Sequence, residues 1–308
     1  MISPTRSKTQ RSASSATALL VTAALASGCG EADADAATVV SVFDAGEGAT
    51  IELPVPYEVG QSASMSATFD ASIDVSGGGI DETVAFAFRL DLTATVAEVT
   101  DDGGSVVNST IDGAEWIEQP EGIADDLIGD LVGLTYAETY DASGSPQSRE
   151  LINDEGLSAE ERQAAEELIT QSESVAFGFP AEPVAVGATW TSEATVNSNG
   201  VEIPATYQYE LVRLDDESFT IEVTYDSPVD TEVGGADVSG RISGSGTITG
   251  ATDNPLELAY EFVQDATISA QQDGQAIDMQ MSITFDNEIT STATITDDST
   301  VSDTTELG

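Results

Sequence analysis

The chain has 308 residues, 40% of them hydrophobic and 6% aromatic, and its formal net charge at pH 7 is −48. Fifty-six Asp and Glu stand against eight Lys and Arg, and there is no His. Such a negative field repels phosphate backbones and anionic headgroups, which excludes nucleic-acid binding and electrostatic adhesion to membranes.

Residues 1–28 have the layout of a secretory signal peptide. Arg6, Lys8 and Arg11 precede an apolar stretch, 16–26, and small residues then lead to Cys29, the only cysteine. The stretch is shorter than the roughly 20 apolar residues of a transmembrane anchor. A cysteine at the cut resembles the lipobox of bacterial lipoproteins, which implies lipidation at Cys29 and a place at the extracytoplasmic face of the cell envelope. An ordinary exported protein is the alternative, but it leaves a lone thiol without a disulfide partner to explain it.

After the signal peptide we expect an acidic tether over 29–38, a β-rich domain over 39–296 and a polar tail over 297–308. The mature chain keeps five basic residues, all Arg, against 56 acidic ones, a net charge of −51. Because the acids are spread along the chain, we interpret them as a solubilising surface suited to high salt, where the Debye length is about 3 Å near 1 M. A cation-binding surface is the alternative.

Apolar and polar residues alternate through most of the domain, a pattern typical of antiparallel strands with one buried face. The alternation divides into a first β unit, 39–115, and a second β unit, 181–296. Turn signals such as Gly77-Gly78-Gly79 separate the strands into three meanders, over about 61–111, 188–225 and 240–296. Since the strands exceed the usual five to six residues, we expect long curved sheets and half-barrel-like meanders.

The middle section, 116–180, predicts a helical insertion. Residues 122–132 carry apolar side chains at helical spacing, and a hairpin is expected around Gly144. Ser158-Ala159-Glu160-Glu161 is a capping box that opens a second helix to about Thr170. The predicted fold class is therefore mainly β with a few helices, which partly plug a cavity near Leu127 and Leu168.

Two short segments open corresponding meanders. Pro56-Tyr57-Glu58-Val59-Gly60 and Pro183-Val184-Ala185-Val186-Gly187 predict the duplication of one β unit. The stretch from Phe179 to Trp190 also resembles a segment of an uncharacterised family of bacterial envelope lipoproteins, with the pattern Pro-x-x-Pro-Val-x-Val-Gly-x-x-Trp. The resemblance implies two β units around a helical middle and no known activity. We interpret Trp190 as inward-facing core; a stacking platform for a ligand is the alternative.

The chain offers little catalytic chemistry. Without His there is no nucleophile–His pair, and no phosphate loop, His/Cys metal spacing or calcium loop is present. We predict no catalytic residue, cofactor or metal site. A carboxylate-based hydrolase of the glycosidase type is the alternative function, and it requires two inward acids about 5–10 Å apart in one cleft.

Aromatic residues at inward positions are the candidate lining for an apolar ligand, with core packing as the alternative role. The leading hypothesis is a non-enzymatic, lipid-anchored envelope lipoprotein that binds a lipid or another neutral apolar molecule, or serves a structural or interaction role. The candidate lining residues are Phe69, Phe86, Phe88, Tyr207, Tyr209, Tyr260 and Phe262.

Overall fold

The computed structural model describes residues 31–32, 39–121, 128–153, 178–198, 201–233, 236–272 and 275–294. Cys29 and the predicted tail lie outside the described residues. Among the described residues, no helix is long and apolar enough to cross a membrane.

Fifteen strands make up almost all of the described fold. The strands of the amino-terminal half are β1 Glu31–Ala32, β2 Val39–Asp44, β3 Thr50–Ile51, β4 Gln61–Gly77, β5 Ile80–Val99, β6 Ser105–Glu118, β7 Thr135–Tyr140 and β8 Pro146–Leu151. Those of the carboxyl-terminal half are β9 Val184–Ala185, β10 Thr189–Ser198, β11 Val201–Leu214, β12 Ser218–Val233, β13 Ala236–Ala251, β14 Leu258–Gln272 and β15 Gln275–Thr294.

Thirteen of these strands form one antiparallel sheet, which confirms the mainly-β prediction. The order is β1-β10-β11-β12-β13-β14-β15-β4-β5-β6-β7-β8, with β2 also paired to β10, while β3 and β9 form a separate pair. The three predicted meanders are therefore consecutive parts of a single sheet. The last strand, β15, joins the two β units by pairing with β4 along its whole length.

The sheet is strongly curved, because one short stretch of chain contacts regions near both of its ends. Ile51 pairs with Val184 in β9, just before β10. Three residues later the ring of Pro54 lies so close to Gly144, in the β7–β8 turn, that a Cβ on that glycine would be 2.7 Å from Pro54 Cγ. Three extended residues span about 10 Å, whereas the strand spacings from β10 to β7 would cover about 43 Å in a flat sheet.

The inner face of this curve holds the hydrophobic core. Alternate residues of β4, β5, β12 and β14 point to it, and the chain from Ile51 to Val55 packs against it near one end. The outer face carries exposed acids such as Asp70, Glu222 and Asp226. We use "inner face" below for the core-bearing side of the sheet.

The predicted helical insertion is wrong, because the described residues contain no α-helix. Within 122–132 the described part holds a single 3-10 turn, Gly129–Leu131. Ile128 and Leu131 are buried against β6 as a short covering loop, and Gly133 ends the turn with φ +90°. Burial of apolar residues at helical spacing thus does not require a helix here. The helix predicted from Ser158 lies outside the described residues, whereas the hairpin around Gly144 is confirmed as β7 and β8.

The two Pro-to-Gly segments adopt the same local structure. Gly60 and Gly187 have φ of 88° and 85°. The residue after each glycine donates its N–H three residues back, to Glu58 O and to Ala185 O, respectively. Each glycine N–H also reaches across to a neighbouring strand, at Val96 O and at Leu211 O. These matching bonds are what duplication of one β unit would leave.

Candidate apolar binding face

All seven predicted lining residues lie on the inner face, but they differ in exposure. Phe86, Tyr209 and Phe262 are buried, at 3%, 2% and 9% exposure. The other four are partly exposed and pack against the same core: Phe69, Phe88, Tyr207 and Tyr260. The exposure therefore divides the predicted set into core residues and residues that a ligand can touch.

One row of rings crosses β10 to β14, and we call it the tyrosine row. Trp190 stacks on Tyr209 with ring centroids 5.3 Å apart and planes at 7°. The row then continues through Tyr207 and Tyr225, 5.1 Å apart, to Phe262, which stacks on Tyr225 at 5.7 Å. Such offset pairs add to the stabilisation that burial itself provides.

Hydrogen bonds fix the tyrosine row in place. Trp190 Nε1 donates to Gly178 O at 2.8 Å, and the Tyr209 hydroxyl lies 3.1 Å from Ser192 Oγ. Burial raises the pKa of Tyr209, so its hydroxyl stays protonated. Because Trp190 is only 1% exposed, it belongs to the core and does not present a stacking platform.

Strand β13 passes beneath two rings of this row as bare backbone. A Cβ added to Gly244 would lie 2.3 Å from the ring of Tyr225 and 2.7 Å from the ring of Phe262. Those rings come from the strands on either side, β12 and β14, and occupy the space above the glycine. The tyrosine row is thus close-packed against the sheet.

A second row crosses β15, β4, β5 and β6, and we call it the phenylalanine row. Phe285 contacts Phe69 edge-on at 4.7 Å, Phe69 stacks on Phe88 at 5.2 Å, and Phe88 meets Trp116 edge-on at 5.9 Å. All four side chains are partly exposed. No ring in this row carries a hydroxyl group.

Small residues border the phenylalanine row. The neighbouring register places Ala67, Leu90 and Ala114 side by side on β4, β5 and β6, and all three are partly exposed. Ala67 leaves a lower apolar surface beside the ring of Phe69, whereas Leu90 and Ala114 also pack against the cluster of Ile111, Ile128, Leu131 and Leu134. We call these three residues together with the phenylalanine row the phenylalanine patch.

Trp116 and Phe285 complete the patch, although the sequence analysis did not select them. Phe285 belongs to the alternating apolar set of β15, so its inward position was readable. The alternation did not identify Trp116, because β6 contributes an extra residue at a register shift between Asp91 and Leu92. At this shift the inward positions of β6 change from odd to even residue numbers.

Several buried polar atoms of the inner face lack partners. In the described part of the chain, the buried side-chain atoms without a hydrogen-bond partner are Ser105 Oγ, Trp116 Nε1, Gln264 Nε2, Asn287 Oδ1 and Arg89 Nε, although Arg89 Nε lies 3.7 Å from Asp91 Oδ1 in an ion pair. The first four belong to inner-face positions. By contrast, the outer-face hydroxyls of Ser62, Ser64 and Ser66 in β4 are bonded, as in Ser66 to Asp91 at 2.9 Å. Native proteins leave few such groups, so each one needs a reason.

Among the described residues, the carboxylates do not form the inward-facing pair that the hydrolase alternative requires. Glu138 is the one buried acid of the described residues, and it forms an ion pair with Arg149, with Arg149 Nε 3.0 Å from Glu138 Oε1. The Arg149 guanidinium also lies 5.1 Å from the centre of the Tyr136 ring. No second buried carboxylate lies beside Glu138 in the described strands, so the two-acid geometry is missing there.

A surface recess of about 700 Å³ lies at the β11–β12 turn and differs in chemistry from the patch. Its walls include the carboxylates of Asp215, Asp216, Glu217 and Glu257. Within the described ranges, no group of three or more acids is placed to hold a metal ion.

The comparisons with known proteins locate a family but no activity. Residues 158–255, about a third of the chain, are similar to a family of unknown function, DUF6263. This agrees with the resemblance to an uncharacterised family, while the lipobox and the motif are not part of that finding. No curated protein matches the chain.

Fourteen chains of solved structures match. One is Salmonella typhi OmpF in complex with daunomycin, which is 7% identical, covers 74% of this chain and 98% of its own, and has a TM-score of 0.20. A likeness at that TM-score carries no argument about this protein.

Proposed function

We propose that the protein is an exported, lipid-anchored envelope protein that holds an apolar molecule on the phenylalanine patch and catalyses no reaction. The proposal is supported by one observation: the two rows of rings on the inner face differ in exposure and in hydrogen bonding. Every ring of the tyrosine row except Tyr207 is buried, and Trp190 and Tyr209 are hydrogen-bonded, whereas all four rings of the phenylalanine row stay partly exposed beside the apolar strip. The family's function is unknown, so the proposal depends on this geometry.

The rings of the phenylalanine row are not fully covered by the rest of the protein. Apolar area gains about 25 cal/mol for each Å² removed from water, so partly exposed rings on a core-bearing face leave stabilisation that a bound molecule can supply. The described outer face carries many exposed acids, such as Asp70, Glu222 and Asp226. The patch also lies on the inner face of the curved sheet, among the residues that pack against the hydrophobic core.

A substitution that fills the low strip tests the binding role. Ala67→Leu should occupy the space beside Phe69 and weaken binding of a fluorescent apolar probe, N-phenylnaphthylamine, by at least tenfold. Ala97→Leu, at an exposed position of the neighbouring strand, is the matched control and should leave binding unchanged. Equal probe binding by both variants and the unmodified protein would overturn the proposed site.

Native mass spectrometry addresses the natural ligand. Protein purified from its own host by mild extraction should carry an additional mass in the range of a lipid. A clean ligand-free mass, together with failure to bind the probe, would leave the rings as ordinary core and contradict the binding function.

The anchor is tested separately from the ligand. Cys29→Ser removes the thiol that the lipobox resemblance selects for acylation, so the protein should move from the membrane pellet to the soluble fraction. If the variant still sediments with membranes after a salt wash, the anchor at Cys29 is wrong, whatever the outcome for the patch.

A further inference from the structure

Polar atoms without hydrogen-bond partners lie beside the phenylalanine row. They indicate which hydrogen-bonding groups a ligand of the patch would carry. Trp116 Nε1 and Gln264 Nε2 are buried donors without an acceptor. Asn287 donates its Nδ2 to Leu258 O at 2.8 Å, which leaves its buried Oδ1 as an acceptor without a donor. Gln264 and Asn287 are 6% and 3% exposed, so bulk water does not replace the missing partners.

The register places these atoms around the patch. Gln264 and Asn287 flank the cross-strand pair of Phe262 and Phe285, one on each side of it. Asn287 also pairs with Ala67, and Trp116 pairs with Phe88 at the other end of the row. The distance from β15 to β6 is three strand spacings, or about 15 Å. This distance is comparable to the length of a small extended amphipathic molecule.

The charges of the inner face exclude an anionic ligand. Arg149 is the cation of the described inner face, and it is bound to Glu138 in a buried ion pair. The other described arginines form ion pairs on exposed surface, as Arg241 does with Asp226. With a net charge of −51 on the mature chain, a carboxylate or phosphate group would be repelled and would find no cation to pair with.

We infer that the ligand of the patch is a neutral ester lipid with a free hydroxyl group, of the acylglycerol class. Its hydroxyl donates to Asn287 Oδ1, its ester carbonyl accepts from Trp116 Nε1 or Gln264 Nε2, and its acyl chain covers the strip of Ala67 and Leu90. This inference rests on the proposed function and adds the polar chemistry of the ligand to it.

The ligand gains access through the partly exposed rings. The three polar atoms are closed to solvent, so neighbouring side chains must shift for a ligand to reach them. The rings of Phe69, Phe88 and Phe285 are held by contacts with other rings, so a shift of these rings breaks no hydrogen bond.

Three probes with the same acyl chain separate the possible chemistries. Monooleoylglycerol carries the ester and hydroxyls, methyl oleate keeps the ester but has no hydroxyl, and oleate is an anion. Calorimetric titration of the unmodified protein should give the tightest binding for monooleoylglycerol, about three- to tenfold weaker binding for methyl oleate, as expected for one neutral hydrogen bond, and the weakest for oleate.

Two variants remove the donors while keeping the apolar surface. Whichever of Trp116→Phe and Gln264→Leu removes the donor to the ester carbonyl should weaken monooleoylglycerol binding about three- to tenfold, while the other variant binds normally. Gln264→Leu should keep or raise stability, because an unpaired amide is removed. Gln280→Leu makes the same change at an exposed outer position of β15 and should bind normally.

The possible failures are distinguishable. Equal affinities for monooleoylglycerol and methyl oleate, with both variants unchanged, would overturn the hydroxyl-ester inference but leave apolar binding intact. Tightest binding of oleate would also overturn it, in favour of an anionic ligand. If no probe binds, the proposed function itself fails.

Discussion

The tyrosine row and the phenylalanine row cross the same inner face, yet they differ in exposure and in hydrogen bonding. In the tyrosine row, Trp190 is 1% exposed and donates to a backbone carbonyl. In the phenylalanine row, Trp116 is partly exposed and its N–H has no partner. Aromatic density alone therefore does not identify a binding surface. The distinguishing properties are exposure and whether the polar parts of the rings are already satisfied.

The largest expected effect comes from deleting each tryptophan side chain. Trp190→Ala should lower the free energy of unfolding by about 3–5 kcal/mol, because it opens a cavity in the buried row and removes a bonded indole. Trp116→Ala should cost about half as much, since its ring is partly exposed. Guanidinium unfolding of the two variants measures the difference, and equal losses would show that both rows are core.

The next largest loss of stability is expected from a substitution of Gly244, the glycine beneath the tyrosine row. Gly244→Ala should destabilise the protein by about 1–3 kcal/mol, because the added methyl group meets the rings of Tyr225 and Phe262. Gly129→Ala is the control, since no atom lies within 4 Å of the added Cβ, and it should change stability by less than about 0.5 kcal/mol. Thermal unfolding compares the pair, and a harmless Gly244→Ala would mean that the row is not tightly packed.

Removing only the indole N–H is a finer test of the same contrast. Trp190→Phe should cost about 1–3 kcal/mol, because the buried Gly178 carbonyl loses its donor. Trp116→Phe should change stability by less than about 0.5 kcal/mol, since no bond is lost. Urea unfolding at neutral pH measures both, and a substantial loss in Trp116→Phe would reveal a structural partner for that N–H.

Alkaline pH should ionise tyrosine hydroxyl groups, whereas the phenylalanine row has no group that ionises there. Burial, followed by the charge of Glu138, raises the pKa of Tyr57 to about 12. The folded state therefore favours the neutral phenol, and this stabilisation is present below pH 10 and lost as the pH rises towards 12. Tyr57→Phe should make alkaline unfolding less steep, as followed by circular dichroism. An unchanged pH profile would contradict the buried environment of this phenol.

The sequence predicted the strands well because alternation reports a buried face directly. It also placed the β4–β5 turn at Gly77, Gly78 and Gly79, which all have positive φ. It could not predict that β15 joins β4, because pairing between distant strands leaves no local pattern. In the described part of 122–132 no helix forms, because Ile128 and Leu131, although at helical spacing, are buried as part of a loop that covers the sheet.

The candidate site was predictable in part. The alternation put Phe69, Phe88 and Tyr209 on one face, but it could not separate the bonded ring from the exposed ones. Gln264 interrupts the inward apolar series of β14, a polar signal that was available in the sequence. Trp116 was not accessible in this way, since a bulge in β6 reverses the alternation.

The pairing of β4 with β15 has a consequence for the order in which the chain can fold. These strands come from opposite ends of the domain, and their register extends from Gln61–Thr294 to Gly77–Ile277. Contacts between residues so far apart in sequence form slowly, because a long loop must close first. The first β unit keeps an open strand edge until the last strand has emerged, and during that interval it is exposed to wrong pairing with other chains. Truncation before β15 would therefore leave two incomplete sheets, and cotranslational folding of the first unit alone would stop with the phenylalanine row lacking Phe285.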